Sequence, residues 1–265
     1  MTVQNLFNLE GRTALITGAT GYLGEQMSWA LAGAGALVLI NSRSHSKASA
    51  LADKICQAGF RARAAAFDIV EEKDLKATLD EVTQGALHIL INNAYSGGSG
   101  TISTASAKDY TDSYNVSVVA AHNLIQAALP LLREAVKSVS DASIINISSM
   151  YGMVSPDLRI YKNKLHANPP FYGTAKAALL QLTKYAACEY GPEGIRVNCL
   201  SPGPFPNPDV QEAQADFIAD LSNKVPMSRI GQAHEIQGPV VFLASSASSF
   251  VNGANIPIDG GWTAW

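Results

Sequence analysis

Short apolar runs of strand length alternate along the chain with longer stretches whose apolar positions return every three to four residues. This is the pattern of strands buried on both faces and separated by amphipathic helices. Residues 13–17 form an apolar run entering a glycine cluster, Gly18, Gly21 and Gly24, and residues 25–34 follow a helical pattern closed by Gly33 and Gly35. Residues 36–40 predict the next strand, 45–58 the next helix with Gly59 placed to end it, and 62–67 a third strand. The alternation continues with a helix over 71–84, a buried strand over 87–91, a long helical region over 106–136 broken near Pro130, and a fifth strand over 143–147. Helical spacing returns from 171 to 190, where Gly191 and Pro192 stop it, and 195–200 reads as strand. A proline-rich passage at 201–208 precedes two further helical stretches and a last short strand around 255–258. Each parallel crossover must lay a helix on the sheet, so the pattern predicts an α/β fold with seven parallel strands and helices on both faces.

Composition narrows the class. The 265 residues are 47% hydrophobic and 15% charged, enough apolar material for a large core, and the net charge of -3 offers no general attraction to nucleic acid or an anionic membrane. Cys56, Cys188 and Cys199 fit neither a metal motif nor a disulfide framework and read as small packing residues of a reducing cytoplasm. The first residues lack a basic stretch followed by an apolar run, and the apolar stretches are interrupted short of a membrane span. The expectation is a cytoplasmic protein of one domain, residues 1–265, because neither repeats nor a linker-like stretch interrupt it.

Candidate chemistry lies at three points. The segment 17–24 follows a strand and opens a helix, the context in which glycines let the backbone approach a pyrophosphate and helix N–H groups face it; this is a dinucleotide fingerprint of a Rossmann-type, doubly wound sheet. About twenty residues past the glycines, where such folds read the adenosine ribose, stand Asn41, Ser42 and Arg43 in place of an acid. A carboxylate would repel a 2'-phosphate, whereas Arg43 can pair with it and Ser42 can donate to it, so NADP is favoured, with NAD as the other possibility. Near the start of a strongly patterned helix, Tyr172 and Lys176 share a face at i, i+4, and a nearby ammonium brings a phenol's pKa down from about 10 towards the range of a working base.

Together these residues resemble the compact single-domain branch of the short-chain dehydrogenase/reductase family, with likeness to its gluconate 5-dehydrogenase-like and 3-oxoacyl-reductase-like members. The resemblance runs nearly end to end: the glycine turn, Asp68-Ile69, Asn92-Asn93-Ala94, Asn115, Ser148-Ser149, Tyr172 with Lys176, Ser201-Pro202-Gly203 and Ile258-Asp259-Gly260-Gly261 occur in the family's order. It implies that Tyr172 is the general acid/base and that Ser149 holds the substrate oxygen. Lys176 would lower the Tyr172 pKa and bond the nicotinamide ribose, and Asn115 would support a water relaying protons to solvent. It further implies a cofactor site including Gly18, Thr20, Tyr22, Leu23, Gly24, Ser42, Arg43, Asp68, Ile69, Asn93, Ala94, Pro202, Gly203 and Phe205 besides Tyr172 and Lys176, with Asn92 also lining it. A homotetramer or homodimer is the implied assembly. The reaction implied is hydride transfer between NADP and a secondary alcohol or ketone, a sugar, sugar acid or polyol being favoured. A 3-oxoacyl-carrier-protein reductase and a cofactor-sensing protein without turnover are the alternatives.

The sequence also departs from the family. Gly18 and Gly21 enclose two residues where the compact branch has three, with Tyr22 at a usual glycine; Tyr95 replaces the glycine after Asn92-Asn93-Ala94; and no threonine follows Gly203 closely. The interval from Ser149 to Tyr172 is long, and residues 151–170 are expected to form an insert over the active site. Its Arg159, Lys162 and Lys164 against Asp157 predict attraction for a substrate carboxylate or phosphate, a lid or subunit contact being the other reading. His45, His88, His122 and His234 show no ligand spacing, so no metal is expected. Trp262 and Trp265 are expected to pack on a neighbouring subunit or the insert.

Overall fold

The computed structural model describes residues 2–71 and 73–265. Its strands are β1 (Thr13–Ile16), β2 (Leu37–Ser42), β3 (Arg61–Ala66), β4 (Ile89–Asn92), β5 (Ala142–Ile147), β6 (Ile195–Pro202) and β7 (Asn255–Ile258). They form one sheet of order β3-β2-β1-β4-β5-β6-β7 with every neighbouring pair parallel. The helices are α1 (Val3–Leu6), α2 (Tyr22–Gly33), α3 (His45–Gln57), α4 (Leu75–Thr83), α5 (Ala107–Tyr114), α6 (Ala120–Val139), α7 (Pro170–Tyr190), α8 (Pro208–Ala213), α9 (Ala215–Lys224) and α10 (Gln237–Ala244).

Alternate strand residues divide the core. Ala14, Ile16, Val38, Ile40, Ile89 and Ile91 pack with Met27 and Leu31 of α2, Leu51 and Ile55 of α3 and Leu243 of α10. Leu15, Leu39, Leu90 and Ile144 point the other way, onto Leu79 of α4, Leu124 and Leu132 of α6 and Ala186 of α7. A third cluster lies above this sandwich: Met150, Tyr151 and Ile160 of the insert meet Leu221, Val225, Ile230 and Trp262, and Tyr172 packs against it.

Five expectations change. The helix expected over 71–84 starts only after Asp74, whose side chain caps it by accepting from Ala77 N–H; Glu72 lies outside the described residues. The long helical region is interrupted at Asn115–Val119, a wide π-turn, and not at Pro130, which sits inside α6. Pro130 and Gln126 both face outward, so the Gln126 carbonyl freed by the missing N–H is open to water. After β6 there are three α-helices in place of two. The helical run Ala107–Val139 is long and apolar enough to cross a membrane, beyond what was expected of any stretch, but its apolar side is the one packed on the sheet. Nor are the thiols all packing groups: Cys199 is buried, whereas Cys56 and Cys188 are exposed.

Candidate active site

The C-terminal ends of the strands open into a groove of about 1170 Å³, spanning the point between β1 and β4 where the strand order reverses. Single small-molecule sites usually occupy about 300–1,000 Å³, so this groove has room for a dinucleotide together with a substrate.

The glycine turn is braced from β4. Asn93 and Ala94 N–H donate to Thr17 Oγ1 at 2.9 and 3.1 Å, and Asn93 Nδ2 donates to the carbonyls of Thr17 and Gly18. Gly18 has φ +61°, and a Cβ there would press the Ala94 Cα at 2.9 Å; one at Gly24 would collide with the Gly18 carbonyl. Gly21 caps α2 with extended backbone and Tyr22 is the first helical residue, so the shortened glycine spacing still delivers the N–H groups of α2 to the groove. Thr20 and Leu23 line it beside them.

At the end of β2, Ser42 Oγ accepts from Thr20 Oγ1 and from Ser44 N–H, each at 3.3 Å. Arg43 lines the groove, and so does Lys47, one turn into α3. Among the described residues neither cation has an acidic partner. Lys47 went unremarked in the sequence, although its position four after Arg43 was a usable signal. Asp68 and Ile69 form the opposite wall. Asn92 departs from expectation: it is buried and donates to Asn146 Oδ1 at 2.8 Å, and Asn146 donates to Thr183, so it ties β4 to β5 and α7 and does not line the groove.

Ser149, Tyr172, Lys176 and Asn115 converge further along, below Pro202, Gly203 and Phe205. Ser149 lies two residues beyond β5 in extended conformation, its hydroxyl accepting from Tyr151 N–H at 3.1 Å. Pro170 at the first position of α7 fixes the helix start, two residues before Tyr172. Lys176 is 3% exposed; its Nζ donates to the Ile147 carbonyl at 2.7 Å and lies 5.6 Å from the Tyr172 ring centre and 5.5 Å from that of Tyr95. Burial brings the Lys176 ammonium down to about 8. The Tyr172 phenol is pushed up by burial, with Ser149 pulling the other way. That direction is opposite to the one expected from a neighbouring lysine, because desolvation dominates and the ammonium is turned to Ile147. Asn115 opens the π-turn, which displaces this stretch from regular helical register where it faces the groove.

Tyr95 packs its ring against Tyr172, edge to face with centres 4.7 Å apart. Its hydroxyl, beside Ser113, is sealed from water without a well-formed hydrogen bond. The insert follows a different course from the one its charges suggested. It folds into the tight turns Met150–Gly152, Leu158–Ile160 and Lys164–His166, packs Tyr161 on Phe217 of α9, and contributes no residue beyond 150 to the groove wall. Arg159 pairs with Asp157 at 2.8 Å, Lys162 with Asp216 of α9 at 2.6 Å, and Lys224 also reaches Asp157. Trp262 packs on the insert's cluster as expected, while Trp265 is 80% exposed.

Comparison with known proteins agrees with this geometry. Residues 18–263 match the family model described as enoyl-(acyl carrier protein) reductase. The chain is 36% identical over 98% of its length to an uncharacterized oxidoreductase of Mycobacterium tuberculosis, covering 95% of that protein, and 30% identical to the 2-dehydro-3-deoxy-D-gluconate 5-dehydrogenase of Dickeya dadantii, with 99% of each covered. The crystal structure of a gluconate 5-dehydrogenase from Burkholderia cenocepacia in complex with NADP and tartrate superimposes with a TM-score of 0.87 at 32% identity, all of both chains covered. The chain belongs to the short-chain dehydrogenase/reductase family, in its compact branch, and is an NAD(P)-dependent oxidoreductase.

Proposed function

We propose that this enzyme moves hydride between NADP and a secondary alcohol or ketone, with sugar-derived compounds, among them polyols and sugar acids, as the substrate class. The observation that carries the reading is the convergence of the Ser149 and Tyr172 hydroxyls at one end of a groove whose other end holds the glycine turn and Arg43, which has no acidic partner among the described residues. The residues fit the cofactor: the close approach of Gly18 to Ala94 keeps the turn low enough for a pyrophosphate, and Arg43 with Lys47 supplies positive charge where a 2'-phosphate would lie. The two relatives named for gluconate derivatives support the substrate class.

When bound, the nicotinamide supplies the hydride acceptor or donor. In oxidation Tyr172 takes the proton of the substrate hydroxyl while Ser149 holds that oxygen; in reduction Tyr172 returns the proton. Lys176 acts from behind the phenol, and Asn115, at the turn beside it, supports the water through which Lys176 recovers its proton. Asp68, Ile69, Asn93 and Ala94 line the cofactor side, Pro202, Gly203 and Phe205 its nicotinamide end. We propose further that residues 1–265 work as one domain with 151–170 as its insert, in the cytoplasm. The exposed Phe250 and Trp265 support association into a homodimer or homotetramer.

Tyr172→Phe tests the chemistry. It removes the transferable proton and keeps the ring, so kcat should fall by about 10²–10⁴ while NADPH binding, followed by fluorescence titration, is unchanged. Near-normal turnover in this variant would refute the assignment.

A further inference from the structure

The charges around the reacting end of the groove point to a narrower substrate class, and the argument rests on the oxidoreductase reading above. On that side, among the described residues, the lining carries two formal charges, Lys176 and Asp112. The Lys176 ammonium is buried behind Tyr172 and committed to the Ile147 carbonyl. Asp112, on α5, is an acid, paired with Lys108 at 2.6 Å on the exposed side of the helix. The two segments that flank the reacting oxygen, 95–100 (Tyr-Ser-Gly-Gly-Ser-Gly) and 202–207 (Pro-Gly-Pro-Phe-Pro-Asn), hold neither lysine nor arginine.

The remaining cations are elsewhere. Arg43 follows β2 and Ser149 follows β5, and the order β2-β1-β4-β5 sets them three strand spacings apart, about 14 Å. Of the insert's cations, Arg159 and Lys162 are held by acids, Asp157 and Asp216, Lys164 has no acidic partner among the described residues, and none of the three lines the groove. A carboxylate on the substrate would lose water in a half-enclosed, aromatic-walled site containing Tyr95 and Phe205, and would gain no cation in exchange. Hydroxyls or an alkyl chain meet no such cost, since Ser96 and Asn115 offer hydrogen bonds and the rings offer apolar contact.

We propose that, within the class given above, the substrate is an uncharged ketone or secondary alcohol and not the sugar acid, and that the site discriminates against the matching carboxylate. The closing experiment measures NADPH-dependent reduction of two matched pairs, 5-keto-D-fructose against 5-keto-D-gluconate and ethyl acetoacetate against acetoacetate. The neutral member of each reactive pair is expected to have the higher kcat/KM by about tenfold or more, and Ser96→Arg is expected to raise kcat/KM for the acid by about threefold and so to shift the acid-to-neutral ratio towards the acid. Equal or better turnover of the acids by the unaltered enzyme overturns the proposal, as does an acid rate that Ser96→Arg leaves unmoved. Absence of NADPH oxidation with every ketone would strike the oxidoreductase reading itself, a result distinct from preference for the acid.

Discussion

Lys176 has three N–H donors and a single protein acceptor, the Ile147 carbonyl, at 3% exposure, and the two aromatic rings beside it are weaker partners than water. Such a residue costs the fold stability and is understandable only through what it does at the groove. The same crowding explains Tyr95. Its ring closes the wall beside Tyr172, and its hydroxyl lies where a Cβ on residue 97 would be, so glycine at 97 and tyrosine at 95 are a matched pair. Gly97→Ala should therefore push the Tyr95 ring off Tyr172, lower kcat and destabilise the protein by about 1–3 kcal/mol, as overpacking does. Adding Tyr95→Phe, which deletes the nearest overlapping atom and leaves only the ring edge to give way, should restore part of both. Thermal unfolding and kcat of the two variants measure this, and a double variant no better than Gly97→Ala would show that the overlap is not the cause.

At the scale of elements, the strands were legible to within a residue or two because most are short apolar runs with polar or glycine edges, as 13–16 and 89–92 illustrate. The π-turn at Asn115–Val119 was not, since a local widening of helical register leaves too slight a mark on apolar spacing, whereas Pro130 left a conspicuous mark and broke nothing. The groove residues were legible where the chain is contiguous with a strand end. The pairing of Lys162 in the insert was not legible, because the acid that holds it, Asp216, comes from α9, 54 residues away. The loop between β2 and α3 carries a prediction of its own. Arg43→Ala should weaken NADP(H) by about 1.5–3 kcal/mol, the value of a charge-assisted contact, and leave NAD(H) nearly unchanged. Ser42→Asp should shift preference towards NAD(H), because its carboxylate would repel a 2'-phosphate and accept from a free ribose hydroxyl. Direct titration of both cofactors decides; tighter binding of NAD(H) than NADP(H) by the unaltered enzyme would reverse the assignment.

The molecule as a whole is fastened at the end of the sheet opposite the groove. Arg12 ahead of β1 and Arg196 in β6 both bond Asp141 ahead of β5, each at 2.8 Å, and their remaining donors reach the Leu243 carbonyl in the last turn of α10 and Ser246, Ser248 and the Ser245 carbonyl just beyond it. Three strands and a helix end thus depend on one carboxylate. Burial alone would raise the Asp141 pKa, but Arg196 and then Arg12 overcome it and hold the group below its usual value of 3.8. Nearby, His88 accepts from Thr13 N–H at 3.1 Å through Nδ1, and burial, with Arg12 adding to it, lowers its pKa below 6.5. The unfolded chain binds more protons than the folded one between each depressed pKa and its ordinary value. Stability should therefore be at its plateau at neutral pH, begin to fall below about 6.5 as unfolded His88 takes up its proton, and fall further below about 3.8 through Asp141. Asp141→Asn should lose about 3–5 kcal/mol at pH 7 by leaving two buried guanidiniums without their counter-charge, and its stability should fall less steeply below about 3.8 than that of the unaltered protein while the limb from His88 remains. Urea unfolding of both proteins between pH 7 and 3 tests this, and an acid limb as steep in Asp141→Asn as in the unaltered protein would mean that other carboxylates carry the acid transition.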